Sequence, residues 1–237
     1  MRAWQAAVPP SVEAMRVVSV NVGLPRTVRW RGRDVTTGIF KEQVEGRIRL
    51  RRLNLDGDGQ ADLSVHGGAE KAVYAYPLEH YTFWDDELGE ELRFGAFGEN
   101  LTVERLPLEE EIAVGDRLGI GTAELVVTQP RVPCYKLGLR FGRGDMVKRF
   151  LASRRTGYYL AVEAEGDIGA GDRVEILARH PARISVSEVI RVYASDRHDL
   201  ATMERLVALD ALPEDWRRYF HKKLTEKSAV STVDERT

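Results

Sequence analysis

One thiol, two prolines and two nearby cations share the stretch QPRVPCYKLGLRFG, residues 129–142. Cys134 is the sole cysteine of the chain. Pro130 and Pro133 stiffen the loop and fix where the thiol points. Arg131 and Lys136 lie close in sequence and favour the thiolate. A thiolate can attack an electrophile or bind a soft metal such as molybdenum. The plain alternative is an inert, packed cysteine. The position just past a strand, where loops carry function, weighs toward chemistry.

A second candidate is HGGAEK, residues 66–71. Gly67 and Gly68 allow the backbone to come close to a ligand just before Lys71. The spacing is not that of a phosphate-binding P-loop, and a tight turn explains the glycines equally well. His66 is a candidate general acid/base or ligand, against a hydrogen-bonded structural role. His80 is expected to be partly exposed on the polar side of a helix. The preceding LDGDGQ (55–60) looks like a calcium loop but fails the test. Counting from Asp56, the bidentate Glu position is Gly67, and the fifth position is Gln60. No two histidines have metal-binding spacing. No G-x-S-x-G elbow or strand-to-helix G-x-G-x-x-G occurs. Arg29, Arg31 and Arg33, then Arg47, Arg49 and Arg51, recur at every second position. On strands each row faces one way, lining an anion site or forming a solvated outer face.

The elements that must carry these residues are mostly strands. Period-two alternation bounded by Gly, Pro, Asn and Asp marks strands over 15–23, 33–40, 46–55, 71–77, 123–130 and 157–166. VGDRLGI (114–120) is echoed by AGDRVEI (170–176), a recurring hairpin start in a closed or strongly bent sheet. Helical spacing of Leu78, Tyr81, Trp84 and Leu88 predicts a helix over 77–88, with Pro77 in its first turn. A second helix is predicted over 144–155. After ARHPARIS (178–185) the pattern turns helical over 187–194, 199–209 and 213–224, with Ser187, Asp199 and Pro213 as helix starts.

Residues 1–180 are thus expected to form a β-barrel domain. Residues 183–225 form a small three-helix unit that docks on the barrel or on a partner subunit. Residues 226–237 are expected to fray. The 237 residues suffice for one sizeable core. A net charge of −2 gives no global field for nucleic acid or anionic lipid, so an anionic ligand must be met by local charge. One cysteine excludes a disulfide framework or a cysteine-based zinc site and suits a reducing compartment. No signal peptide or bilayer-spanning run is evident, so the protein is expected in the cytoplasm, with no membrane or nucleic-acid partner.

Three motifs occur in order: HGGAEKAVYAYP, FGENL and QPRVPCYKL. Together they resemble the MOSC domain, named for the C-terminal domain of molybdenum-cofactor sulfurase, and more narrowly its stand-alone bacterial YiiM-type branch. The resemblance runs from about Val17 to Ile176, and the segment from about Arg183 to Leu224 is similar to the three-helix segment of that branch. It implies a mainly β fold, a MOSC-like β-barrel with peripheral helices, followed by a three-helix C-terminal unit. It implies that Cys134 binds the molybdenum of a pterin cofactor, and that Gly67, Gly68, Lys71 and Asn100 belong to the cofactor site. Arg131 and Lys136 are candidates for the cofactor's anionic groups. It implies reduction of N-hydroxylated compounds such as hydroxylamino-purines, with Cys134 and His66 as catalytic candidates. No flavin, haem or iron–sulfur motif is evident, so electrons must come from separate proteins. Pyridoxal phosphate is a minor family-level association, for which Lys71 is the candidate. A homodimer is left open.

Two other classes compete. A sulfur carrier would hold a persulfide on Cys134, although no desulfurase partner domain accompanies it. A non-catalytic binding module would use the three-helix unit as its contact surface. That unit's basic residues are balanced by acidic ones except near WRRYFHKK, which weighs against DNA binding.

Overall fold

Among the described residues the chain forms twelve strands and six α-helices. The computed structural model describes residues 14–61 and 67–234, with side chains to Glu226. The strands are β1 Arg16–Val22, β2 Arg26–Trp30, β3 Arg33–Thr37, β4 Glu42–Gln43, β5 Arg47–Leu50, β6 Val73–Pro77, β7 Leu101–Glu104, β8 Arg117–Ile120, β9 Ala123–Pro130, β10 Tyr158–Ala164, β11 Gly166–Gly169 and β12 Val174–Ala178. The helices are α1 Glu79–Leu88, α2 Tyr135–Arg140, α3 Met146–Ser153, α4 Val186–Ala194, α5 Leu200–Ala208 and α6 Glu214–Asp234.

Eight strands form one sheet in the order β12-β8-β9-β10-β6-β7-β1-β4. All neighbours run antiparallel except β6 and β7, which are parallel with Ala75 opposite Leu101. A parallel pair needs a crossover, and α1 lies in that connection. The sheet curls back on itself. Val17 N–H donates to Asp172 O at 2.9 Å, and Gly171 N–H to Val17 O at 2.8 Å. These bonds tie β1 to the turn before β12, so the sheet approaches a barrel without a continuous closing ladder. The two echoed turns are built alike. Asp116 Oδ2 accepts from Ala113 N–H, and Asp172 Oδ2 from Gly169 N–H. The strands they open, β8 and β12, pair with each other.

Strand periodicity splits the interior in two. On β6, Val73 and Ala75 face the barrel core, while Tyr74 and Tyr76 face a second, aromatic cluster with Tyr81, Trp84, Phe97 and Phe150. Tyr76 and Phe97 rings lie 4.7 Å apart, and Trp84 donates to Tyr76 Oη at 2.8 Å. The three C-terminal helices share the barrel core through Val189, Met203, Leu206 and Phe220, so this unit docks on the barrel.

Several boundaries differ from the sequence reading. Pro77 ends β6, and α1 begins at Glu79. The cap of α4 is Ser185, not Ser187: Glu188 three residues on completes a reciprocal capping box. Asp199 caps α5 by accepting from Thr202 N–H. α6 continues to Asp234 through a segment without Pro or Gly. His80 is buried, not partly exposed, because its ring reaches Glu109 at 2.9 Å. The alternating arginines are a solvated face: Arg29, Arg49 and Arg51 pair with exposed or half-exposed carboxylates, and half-exposed Arg47 pairs with the more buried Asp172. Among the described residues no helix is long and apolar enough to cross a membrane.

Candidate active site

β9 delivers the thiol. It ends at Pro130, where the ladder pairs Pro130 with Tyr158, and the chain then leaves the sheet. Arg131 N–H still reaches Gly157 O at 3.3 Å, which anchors the loop. Cys134 then occupies the N-cap position of α2, with extended backbone and a half-buried side chain. Sequence reading gave no helix here, because α2 has only six residues and follows two prolines closely.

The thiol opens on a cleft of about 640 Å³, counted out to solvent. Lys71, Asn100, Arg131, Cys134 and Lys136 all line it. Five of the residues picked from sequence are therefore brought together from three separate stretches. Gly67 and Gly68 are not on the cleft wall. Gly68 instead has φ 95°, a conformation open to glycine, and leads into the 3-10 turn Ala69–Lys71 that carries Lys71 to the cleft. His66 lies outside the described residues.

Arg131 is buried although it is a cation. Its Nη2 donates to Phe97 O at 3.3 Å, and its guanidinium lies 5.0 Å from the Phe150 ring centroid and 5.5 Å from that of Tyr74. Its Nη1 is buried without a hydrogen-bond partner among the described residues. A buried donor left unpaired is costly, so the site is built to receive an acceptor. Tyr159 also lines the cleft. Burial pushes its hydroxyl up, and the Arg131 charge pulls it partly back.

Asn100 works mainly inside the protein. Its Nδ2 donates to Asn21 O and Asp58 Oδ2, and its Oδ1 accepts from Tyr74 N–H at 3.0 Å. It clamps β6 to β1 and orients Asp58. Asp58 accepts from Gly23 N–H at 2.8 Å and pairs with Lys41, both of them buried. Burial lowers the Lys41 amine from its ordinary range, and Asp58 and Glu99 oppose that shift. Lys41 and Asp58 line the cleft, and neither was singled out from sequence. Asp58 sits in the DGDG stretch whose calcium reading fails, so a conspicuous motif concealed its actual role.

Glu99 holds the next wall. Its carboxylate accepts from Gly95 N–H at 2.8 Å, Phe97 N–H at 3.0 Å, Thr102 Oγ1 at 3.0 Å and the Tyr81 hydroxyl. This fixes the loop whose Phe97 carbonyl receives Arg131. Burial pushes Glu99 up despite these donors.

The cleft thus presents Lys41, Lys71, Arg131 and Lys136 against Asp58, a local positive excess in a chain of net charge −2. It can hold an anion, and it offers one soft donor beside that anion. Among the described residues no group of three or more His, Cys, Asp or Glu could hold a metal. A metal here would arrive with ligands of its own, as in an organic metal-binding cofactor. The residues fit such a group: a single thiol, a buried Arg N–H unpartnered among the described residues, and nearby lysines.

Comparisons with known proteins agree with this architecture. The MOSC domain model matches residues 62–175, and a model described as YiiM-like, 3-alpha helix domain matches residues 184–226. Protein YflK of Bacillus subtilis (strain 168) is 42% identical over 211 residues, 89% of this chain and 95% of that protein. A protein named reductase from Gibberella moniliformis is 35% identical over 165 residues, 68% of this chain but only 29% of that longer protein. The crystal structure of YiiM from Geobacillus stearothermophilus superposes with a TM-score of 0.75 at 32% identity, covering 89% of this chain and 99% of that one.

Proposed function

Because the chain belongs to the MOSC-domain family, in the branch that carries a YiiM-like three-helix domain, we propose that it is an oxidoreductase that binds the molybdenum cofactor and reduces N-hydroxylated compounds. The family is associated with that cofactor. The reductase name of one partial relative supports a redox role. The observation that carries the reading is the pairing of one half-buried thiol with a buried, unpartnered Arg131 N–H on the same cleft.

In this reading Cys134 supplies the protein's ligand to molybdenum. Arg131, Lys71 and Lys136 hold the anionic part of the pterin. When bound, the cofactor supplies a two-electron redox centre that can take an oxygen atom from its substrate. The chain does the remaining work. Pro133 and the start of α2 hold Cys134 in one orientation. Asn100 fixes Asp58, and Asp58 holds the Lys41 ammonium at the cleft wall. Reduction of R–NHOH to R–NH2 and water consumes two electrons and two protons. Lys41, a proton donor buried beside the cleft, is suited to deliver one of them. The electrons come from a separate donor protein.

The test is metal and pterin analysis of protein made in a cofactor-competent host, wild type against Cys134→Ala. Reduction of a hydroxylamino-purine with an artificial electron donor follows. Wild type without molybdenum, or Cys134→Ala with unchanged molybdenum, rejects the cofactor site. Molybdenum without turnover rejects only the reaction. A sulfane-sulfur adduct on Cys134 by intact mass would instead favour the sulfur carrier.

A further inference from the structure

The segment Ile39–Lys41 serves two clefts. Ile39 and Lys41 line the Cys134 cleft, while Phe40 and Lys41 line a second, broader one of about 1960 Å³ counted out to solvent. This second cleft lies between the start of β2, the outer side of α1, the loop after α1 and the end of α2. Of its lining residues, only Lys41 enters the chemistry proposed above.

Its cations are unusual. Arg26 lies with its guanidinium 3.9 Å from the Phe40 ring centroid, and Arg140 with its own at 5.4 Å from the same centroid. Two like charges share one ring, and the Arg26 charge disfavours the protonated form of Arg140. Neither forms an ion pair with a carboxylate among the described residues. Arg47, Arg49 and Arg51, by contrast, each face a carboxylate. Arg140 Nε is moreover buried without a hydrogen-bond partner. Burial lowers the Arg140 guanidinium from its ordinary range, a cost that an arriving anion would offset.

The surroundings narrow the ligand. Leu78 and Phe94 line the cleft, so an apolar or planar body can pack beside the guanidiniums. Glu42, Asp85 and Glu91 also line it, and they would repel a polyanion such as a nucleic acid strand or a triphosphate. One oxyanion on a compact body satisfies both conditions.

We infer that the cleft between α1 and the end of α2 is a second ligand site, in which Arg26 and Arg140 bind the single phosphate or carboxylate of a small planar molecule. The site is separate from Cys134, and the inference does not rest on the cofactor reading.

Calorimetric titration of the full-length, cofactor-free protein tests it, with adenosine monophosphate and benzoate as probes for the two oxyanions and adenosine as the neutral control. Saturable binding of one or both anions, without adenosine binding, is expected. Arg140→Gln should weaken it about tenfold or more, the scale of a lost charge-assisted hydrogen bond. Arg26→Gln, at an exposed position, should weaken it several-fold without touching the fold. It decides the matter if Arg140→Gln fails to fold. Lys136→Gln, in the other cleft, should leave this binding unchanged. Binding of unchanged affinity in Arg26→Gln, or binding that is lost in Lys136→Gln, overturns the assignment, as does the absence of saturable binding by either anion.

Discussion

The Trp216 indole N–H donates to Gln129 Oε1 at 2.6 Å, joining the first turns of α6 to β9 two residues before Arg131. Gln129 also sits opposite Tyr159 in the ladder with β10. The three-helix unit therefore reaches the strand that carries the thiol loop. Trp216→Phe keeps the ring contacts with Tyr193 and Phe220 but removes the donor. Urea unfolding should show a loss of about 1–3 kcal/mol, the cost of an orphaned buried acceptor. Molybdenum retention should fall several-fold with it. Unchanged stability would sever the link between the helical unit and the site.

Cys134 is half-buried and joins neither hydrophobic core. Cys134→Ser should leave the thermal midpoint within about 1 °C, since substitutions outside cores cost little. Reductase turnover should drop by at least about a hundredfold, because even partners of metal ligands are worth about 10–100-fold. A serine variant that keeps turnover would remove the thiol from the chemistry.

Arg131 carries a charge into the interior with no carboxylate paired to it among the described residues. Desolvation of such a cation costs several kcal/mol, against about 1–1.5 kcal/mol for its hydrogen bond to Phe97 O and about 1–2 kcal/mol for its ring contacts. Arg131→Met, which keeps the packing stem, should therefore stabilise the cofactor-free protein by on the order of 1 kcal/mol. It should weaken cofactor retention at least about tenfold. Denaturant midpoints of the unloaded protein and molybdenum content of the loaded protein read the two effects separately. A destabilised unloaded variant would mean that Arg131 is structural.

Glu99 is pushed above its ordinary value of 4.5, mainly by burial. A carboxyl raised in the folded state contributes stability that is complete below 4.5 and lost as pH rises through its folded value. Glu99→Gln removes that dependence and sets an amide N–H2 against a backbone donor. Its cost should be about 1–3 kcal/mol near pH 4 and smaller near pH 7.5. Paired unfolding curves at the two pH values measure it, and a cost that grows with pH would reverse the sign.

The strands and the thiol loop were readable because local rules decide them. Val73 and Ala75 alternate with Tyr74 and Tyr76, and no other arrangement buries both pairs. Cys134 stood out by its uniqueness and its prolines. The Asn100–Asp58–Lys41 chain was not readable beyond Asn100, since its members lie 42 and 17 residues apart. Only the β1–β7 and β6–β7 ladders bring them together. His80 was misread because its partner Glu109 lies 29 residues away, beyond the reach of helical spacing. The glycines of HGGAEK were legible as a turn, but their distance from the cleft wall depends on where the turn ends.

The bond between Val17 and Asp172 that curls the sheet also sets the order of events in synthesis. β1 leaves the ribosome early, yet its partners in β7 and before β12 are made much later. At about 5–20 residues per second, the wait is on the order of ten seconds. In that interval only the two-residue ladder with β4 is available to it. Non-local pairing of this kind slows folding, because the loop must close before the contact repays it. The apolar side of a nascent β1, which becomes Val20 and its neighbours in the core, is thus the segment of this barrel most exposed to chaperones and to premature association.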